Sequence, residues 1–267
     1  MKRREFLAAS AAATVGLAAP ARAQSASGGG RDLIELRTYH FASPEKQKAF
    51  EDFLADVAIP ALNRAGIRPV GVWKLRAADN PRLKLEADST DLYVLLTHKS
   101  CDSLIGMIPR LSRDSWFTSD GAEILMAPKE SPAYTRFESS LLLAFEGMPH
   151  VEAPTMAADR VLQLRTYESH NDERALAKIH MFNEGGELAI FRRCGMTPAF
   201  FGQALIGDKL PNLTYALSFA SPEAMREGWK KFGQDPGWKT LREDPTYKDT
   251  VSRITNLVLR PARGSQI

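Results

Sequence analysis

The stretches from Leu33 to Tyr39 and from Val161 to Tyr167 each open on two apolar residues and then mix apolar with polar positions. Short runs of this kind, rich in β-branched, leucine and aromatic residues, predict a strand in each place. The two stretches share four consecutive residues, Leu36-Arg37-Thr38-Tyr39 and Leu164-Arg165-Thr166-Tyr167. A helical pattern follows each copy. In the first, Ser43-Pro44-Glu45 opens a helix to about Arg64 with Phe50, Phe53, Leu54, Val57 and Leu62 as its apolar stripe, and Gly66 sits where a left-handed cap is needed. In the second, Asn171 caps a helix reaching about Arg193, and Gly195 ends it. Further strands are predicted at Ile67–Leu75, Leu92–His98, Arg136–Phe145, Met196–Gln203, Leu213–Phe219 and Ile254–Leu259. Second helices start near Asp102 and at Ser221-Pro222-Glu223.

The register supports one unit written twice. Gly66 and Pro69 match Gly195 and Pro198, while Tyr93, Leu95 and Trp116 match Tyr215, Leu217 and Trp238. Each copy reads β-α-β-β-α-β, so the expected fold class is α+β, two tandem ferredoxin-like units. The expected boundaries are a leader at 1–23, a lead-in at 24–31, units at 32–145 and 160–261, a linker at 146–159 and a tail at 262–267.

The leader changes the reading of charge. Lys2-Arg3-Arg4-Glu5-Phe6-Leu7 precedes an alanine-rich run, and Ala21-Arg22-Ala23 offers small residues to a signal peptidase. This is the pattern of a cleavable export signal, too short to span a membrane, and its paired arginines resemble a twin-arginine signal. A periplasmic or secreted location is expected. The leader carries Lys2, Arg3, Arg4 and Arg22 against Glu5, and the whole chain is +3. The remainder is therefore near neutral and gives no argument for nucleic acid or an anionic membrane as partner. The rest, 44% hydrophobic and 25% charged overall, is ordinary soluble composition with no membrane span expected.

The repeated strand, the stretch from Glu187-Leu188-Ala189-Ile190-Phe191 to Gly195, and Asp235-Pro236-Gly237-Trp238 resemble the NIPSNAP family. The second unit is the closer match; the first has Arg113-Asp114-Ser115-Trp116 where the family prefers Asp-Pro-x-Trp. The resemblance implies a fold of the dimeric α/β-barrel class, in which two four-stranded sheets pack face to face. It also implies an unsettled biochemistry, with adapter-like mitochondrial relatives and structural cousins among cofactor-free monooxygenases and haem-handling proteins. Fold alone does not transfer those reactions.

Candidate site residues come from strand alternation. If Leu36 and Thr38, like Leu164 and Thr166, face the helices, then Arg37, Tyr39, Arg165 and Tyr167 line the space between the sheets. Each arginine then needs a carboxylate such as Glu35 or an anionic guest. His180, Glu184 and Glu187 share a helix stripe but read as a solvated face. Trp116 and Trp238 read as packing anchors, and Trp73, without an aromatic counterpart in the second copy, as a pocket residue. Cys101 and Cys194 read as small buried hydrophobes. The sequence has no glycine-rich phosphate loop, zinc-ligand spacing, Gly-x-Ser-x-Gly or Cys-x-x-Cys, so neither cofactor nor metal is expected. Two readings remain: a binder of a small organic or anionic molecule with cofactor-free oxygenase-like chemistry, or an interaction scaffold without chemistry. The outer surfaces stay available for a homo-oligomer.

Overall fold

The computed structural model describes residues 30–267. The leader and most of the lead-in lie outside them. Eight strands follow in chain order: β1 (Leu33–His40), β2 (Val70–Leu75), β3 (Leu92–His98), β4 (Arg136–Ala144), β5 (Val161–Glu168), β6 (Thr197–Ile206), β7 (Asn212–Phe219) and β8 (Arg253–Pro261). All pairings are antiparallel, and the sheet closes in the order β1-β3-β2-β8-β5-β7-β6-β4. Within each half the order is fourth, first, third, second. The expected pair of face-to-face sheets is instead one continuous barrel. Trp73–Leu75 of β2 pairs with Leu259–Pro261 of β8, and Leu141–Ala144 of β4 pairs with β6. Joining both seams satisfies backbone groups that open edges would leave exposed.

Helices cover the outside. The first half carries α1 (Pro44–Phe53), a π-helical turn over Leu54–Ala58, α2 (Ile59–Arg64) and the short helices α3 (Cys101–Ile105), α4 (Met107–Leu111), α5 (Ser115–Asp120) and α6 (Ala122–Leu125). The π-turn immediately precedes Ile59-Pro60, where a missing N–H interrupts the regular ladder. The second half carries α7 (Asp172–Asn183), α8 (Glu187–Arg193), α9 (Pro222–Gln234) and α10 (Pro236–Glu243). Gly66 and Gly195 both take positive φ, 82° and 77°, as their capping role requires. The single helix expected from Asn171 to Arg193 is broken, because Gly186 takes φ 85° and starts α8 in a new direction.

The linker and the tail are built into the barrel. Asp32, fully buried, accepts from Lys99 Nζ at 2.8 Å and from the Val151 amide at 3.0 Å, which fixes the linker. The Ala262 and Gln266 amides donate to Val72 and Val70, so the tail extends the β2–β8 seam.

Three apolar clusters follow from closure. One joins Tyr39 to Phe50, Leu54 and Leu62 under the first helices; another joins Tyr167 to Phe182, Phe191 and Phe232 under the second. The third fills the barrel with Ile34, Leu36, Leu162, Leu164 and Phe200. The face assignment made from alternation is therefore inverted. Leu36 and Leu164 point into the barrel, while Arg37, Tyr39, Arg165 and Tyr167 lie on the helix side. Both faces of this sheet are buried, so an apolar face does not identify the helix side. Tyr39 packs against Phe50 at 4.8 Å and Phe137 at 5.0 Å between ring centres, beneath the first helices.

Candidate functional site

The barrel encloses a cavity of about 830 Å³, within the range of small-molecule pockets. Its polarity is written along the strands. Inward positions run Ile34, Leu36, Thr38, His40 on β1 and Leu162, Leu164, Thr166 on β5. The antiparallel neighbours reverse the order, Thr214 to Ala216 on β7 and Thr255, Leu257, Leu259 on β8. Thr166, Thr214 and Thr255 are neighbours in register and sit at one level above an apolar floor, with Thr166 Oγ1 and Thr214 Oγ1 2.9 Å apart, and Thr38 lines the same cavity from β1. Val151 of the linker and Ile267 of the tail belong to the same interior cluster as Ile34 and Ala144, away from the threonine level. His40 lies at the mouth, its Nδ1 2.9 Å from Asp91 and its Nε2 3.4 Å from Glu138.

Two aromatic residues face this space from adjacent strands. Trp73 is 2% exposed and lines the cavity, as its lack of a repeat partner suggested. Its indole lies over Gly71, where any Cβ would collide with the ring. Tyr93, paired across from Trp73, lines the cavity too. Among the described residues its hydroxyl has no hydrogen-bond partner. Burial, with a smaller effect from Asp91, pushes its pKa up to about 12. The phenol is thus neutral at physiological pH and available as a donor to a guest oxygen. Tyr93 and the threonine level were not singled out from the sequence; the inward alternation of Thr on four strands was the available signal.

On the helix side the two copies of the motif differ. Arg37 makes a bidentate pair with Glu35, Nε to Oε1 at 2.7 Å and Nη2 to Oε2 at 3.0 Å, and donates to Tyr39 OH at 3.0 Å. Ser139 donates to Glu35 at 2.8 Å, and His98 Nε2 stands 3.4 Å away, a contact at the long edge of hydrogen bonding. Burial alone would raise the Glu35 pKa, but the His98, Arg37 and Ser139 contacts outweigh it and hold the carboxyl at about 2. In the second copy Gln163 replaces Glu35. Arg165 donates to Asn256 Oδ1 at 3.0 Å and to Tyr167 OH at 3.1 and 3.3 Å, and Tyr167 OH meets Tyr215 OH at 2.9 Å. Its guanidinium lies 4.9 Å from the Trp229 ring centre. No carboxylate among the described residues pairs with it.

The remaining expectations divide. Glu187 is not solvated: the break at Gly186 turns it inward, where it pairs with buried Lys178 at 2.7 Å. Burial raises its pKa, opposed by Lys178. His180 instead meets Tyr247 OH at 2.8 Å. Trp238 packs in the second cluster, but Trp116 is 38% exposed under Arg64 and anchors no core. Cys194 is buried and Cys101 is exposed, because it opens a surface helix. No group of three or more metal-ligating side chains occurs among the described residues, nor any helix long and apolar enough to cross a membrane.

Residues 162–266 match the NIPSNAP family model. That span runs from the inward Leu162 of β5 into the tail and contains the second copy of each motif. No curated protein matches the chain. The whole barrel resembles a candidate monooxygenase from Lactobacillus acidophilus, at 12% identity and TM-score 0.58 over 88% of this chain and 98% of that one. It also resembles one from Fusobacterium nucleatum, at 6% identity and TM-score 0.56 over 87% and 93%. A NIPSNAP family protein from Agrobacterium tumefaciens aligns with 39% of this chain and 90% of its own, at 22% identity and TM-score 0.34. At such identities the first two likenesses establish the fold, mixed α/β with an antiparallel barrel of the dimeric α/β-barrel type.

Proposed function

We propose that this chain is an exported NIPSNAP-like protein that binds a small organic molecule inside its barrel. The observation that carries the reading is the cavity of about 830 Å³ with an apolar floor, a threonine level and the unpartnered Tyr93 hydroxyl. The guest is an apolar body bearing an oxygen near Tyr93. Native mass spectrometry of protein purified from its own periplasm should find retained non-protein mass. Tyr93→Phe should lower that occupancy while changing the stability of the empty protein by less than about 0.5 kcal/mol. No retained mass, or equal occupancy in the variant, counts against the reading.

Oxygen chemistry on the guest is the reaction class that the fold neighbours named as candidate monooxygenases support. Without a cofactor the guest itself must supply electrons to O₂, so guest-dependent oxygen uptake by the purified protein is the test. Residues 32–145 and 160–261 are read as tandem ferredoxin-like units joined by 146–159; their identical strand orders support this. Export rests on the Arg3-Arg4-Glu5-Phe6-Leu7 leader. Replacing both arginines by lysine should leave precursor in the cytoplasm, and normal export would remove the twin-arginine route. Of the four motif residues, Arg37 borders the barrel cavity but its guanidinium is occupied by Glu35, both tyrosines are buried in the helix layers, and Arg165 borders open space on the helix side.

An interaction module is the second reading. Ile105, Ile108 and Met126, exposed at 76%, 64% and 80%, favour it. Homo-oligomerisation through these residues would show as a concentration-dependent mass in light scattering.

A further inference from the structure

A second pocket, about 790 Å³, lies outside the barrel against β5 and β8, beneath Trp229 of α9 and beside the 79–83 loop of the first half. Arg165 lines it. A guanidinium has five N–H donors, and three of those on Arg165 go to Tyr167 and Asn256. Two are unspent. Acceptors around it are already used: Asn256 Oδ1 takes Gln163 Nε2 at 2.7 Å, and Gln163 Oε1 takes Trp229 Nε1 at 2.6 Å. Asp79 at the rim is held by Arg260, with two contacts of 2.8 Å. Arg82 and Arg253 also line the pocket. Arg82 has no carboxylate partner among the described residues, and Arg253 reaches Glu168 only at 3.9 Å. The pocket therefore offers spare donors and positive charge. Leu83 and Ile254, 41% and 48% exposed, add apolar walls.

The first half supplies an internal control. There the same arginine position is neutralised by Glu35, with both carboxylate oxygens engaged. The second half has exchanged that carboxylate for the Gln163 amide and kept the arginine. A part-buried guanidinium with no carboxylate in hydrogen-bond contact is suited to take an anion.

We propose that this outer pocket is a second binding site, distinct from the barrel cavity, for a small organic carboxylate whose charged end is held by the fork of Arg165 and whose apolar body lies along Leu83, Ile254 and Trp229. It does not depend on the barrel reading.

Phenylacetate is the probe, and phenylacetamide is its neutral control. Calorimetric titration of the full chain at up to about 5 mM should detect one phenylacetate per chain and no phenylacetamide binding. Gln163→Glu restores the carboxylate of the first half and still accepts from Trp229, while the Asn256 amide must turn its Nδ2 toward the new carboxylate, and circular dichroism checks that the variant is folded; it should weaken phenylacetate by at least about tenfold, the scale of a lost charge-assisted hydrogen bond. Arg82→Ser, a rim change, should weaken it less and leave melting unchanged. Three results would each overturn the proposal. They are undetectable phenylacetate binding to the unaltered chain, equal binding of the amide, and phenylacetate binding that survives Gln163→Glu. Loss in Tyr93→Phe with retention in Gln163→Glu would put the probe in the barrel and likewise overturn it.

Discussion

Protonating one carboxyl group should remove about 3 kcal/mol of stability from this protein. Glu35 is held at a pKa of about 2, against 4.5 in the unfolded chain. Its folded pKa is depressed, so its contribution is complete above about pH 5 and fades as pH falls toward 2. At 1.36 kcal/mol per unit, the loss by pH 2 is about 3 kcal/mol, since the folded form is then half protonated. The side chain is only 9% exposed, so solvent screening reduces this little. Other depressed groups such as Asp235 also titrate in this window. Glu35→Gln isolates the term, because it removes one titration and leaves the rest. Urea unfolding of both proteins across the window should give free energies that converge by about 3 kcal/mol on acidification. Parallel curves would refute the argument, since Arg37 and Ser139 would then not be stabilising the charged form. A convergence centred near 4.5 would refute it equally.

Three further outcomes follow. Glu187→Gln breaks the buried Lys178 pair at 2.7 Å and should cost roughly 3–5 kcal/mol in denaturant melts; a loss under about 1 kcal/mol would mean Lys178 finds water. Gly71→Ala places a methyl group in the Trp73 ring, should cost about 1–3 kcal/mol by overpacking, and should alter tryptophan emission; an unchanged spectrum would mean the indole is not where the cavity requires it. Residues 160–267 expressed alone would present β6 and β8 as open edges and should pair with a second copy, β6 of one to β8 of the other, as the equivalent strands do within the chain. A stable folded monomer in ultracentrifugation would contradict that.

Much of the fold was legible because the chain states it twice. Leu36–Tyr39 and Leu164–Tyr167 marked the first strand of each half, and Gly66 and Gly195 marked helix ends whose positive φ only glycine takes without strain. The break at Gly186 was written in the Gly185-Gly186 pair, yet periodicity on both sides continued smoothly enough to hide it. Symmetry also misled. Trp116 and Trp238 occupy matching positions, but one covers a core and the other lies at the surface under Arg64. The matched pair Tyr93 and Tyr215 is itself one position out of register: Thr38 faces Tyr93 where Thr166 faces Thr214, so Tyr93 points into the barrel and Tyr215 toward the helices.

The inverted face explains why the site was the least legible part. Alternation says which residues share a face, and a sheet packed on both sides gives each face apolar neighbours. Only closure decides the rest: it turns Leu36, Thr38, Leu164 and Thr166 inward and leaves the arginines and tyrosines of the motif beneath helices. Closure also means that neither half owns the cavity. Leu36, Thr38, Trp73 and Tyr93 come from one, and Leu164, Thr166, Thr214 and Thr255 from the other. Two halves inside one chain, unlike two identical chains, can differ in sequence position by position. The cavity shows the difference, with Trp73 and Tyr93 contributed by the first half and Thr214 and Thr255 by the second. So does the motif, where exchanging Glu35 for Gln163 at matching positions leaves one arginine neutralised and the other available for charge recognition.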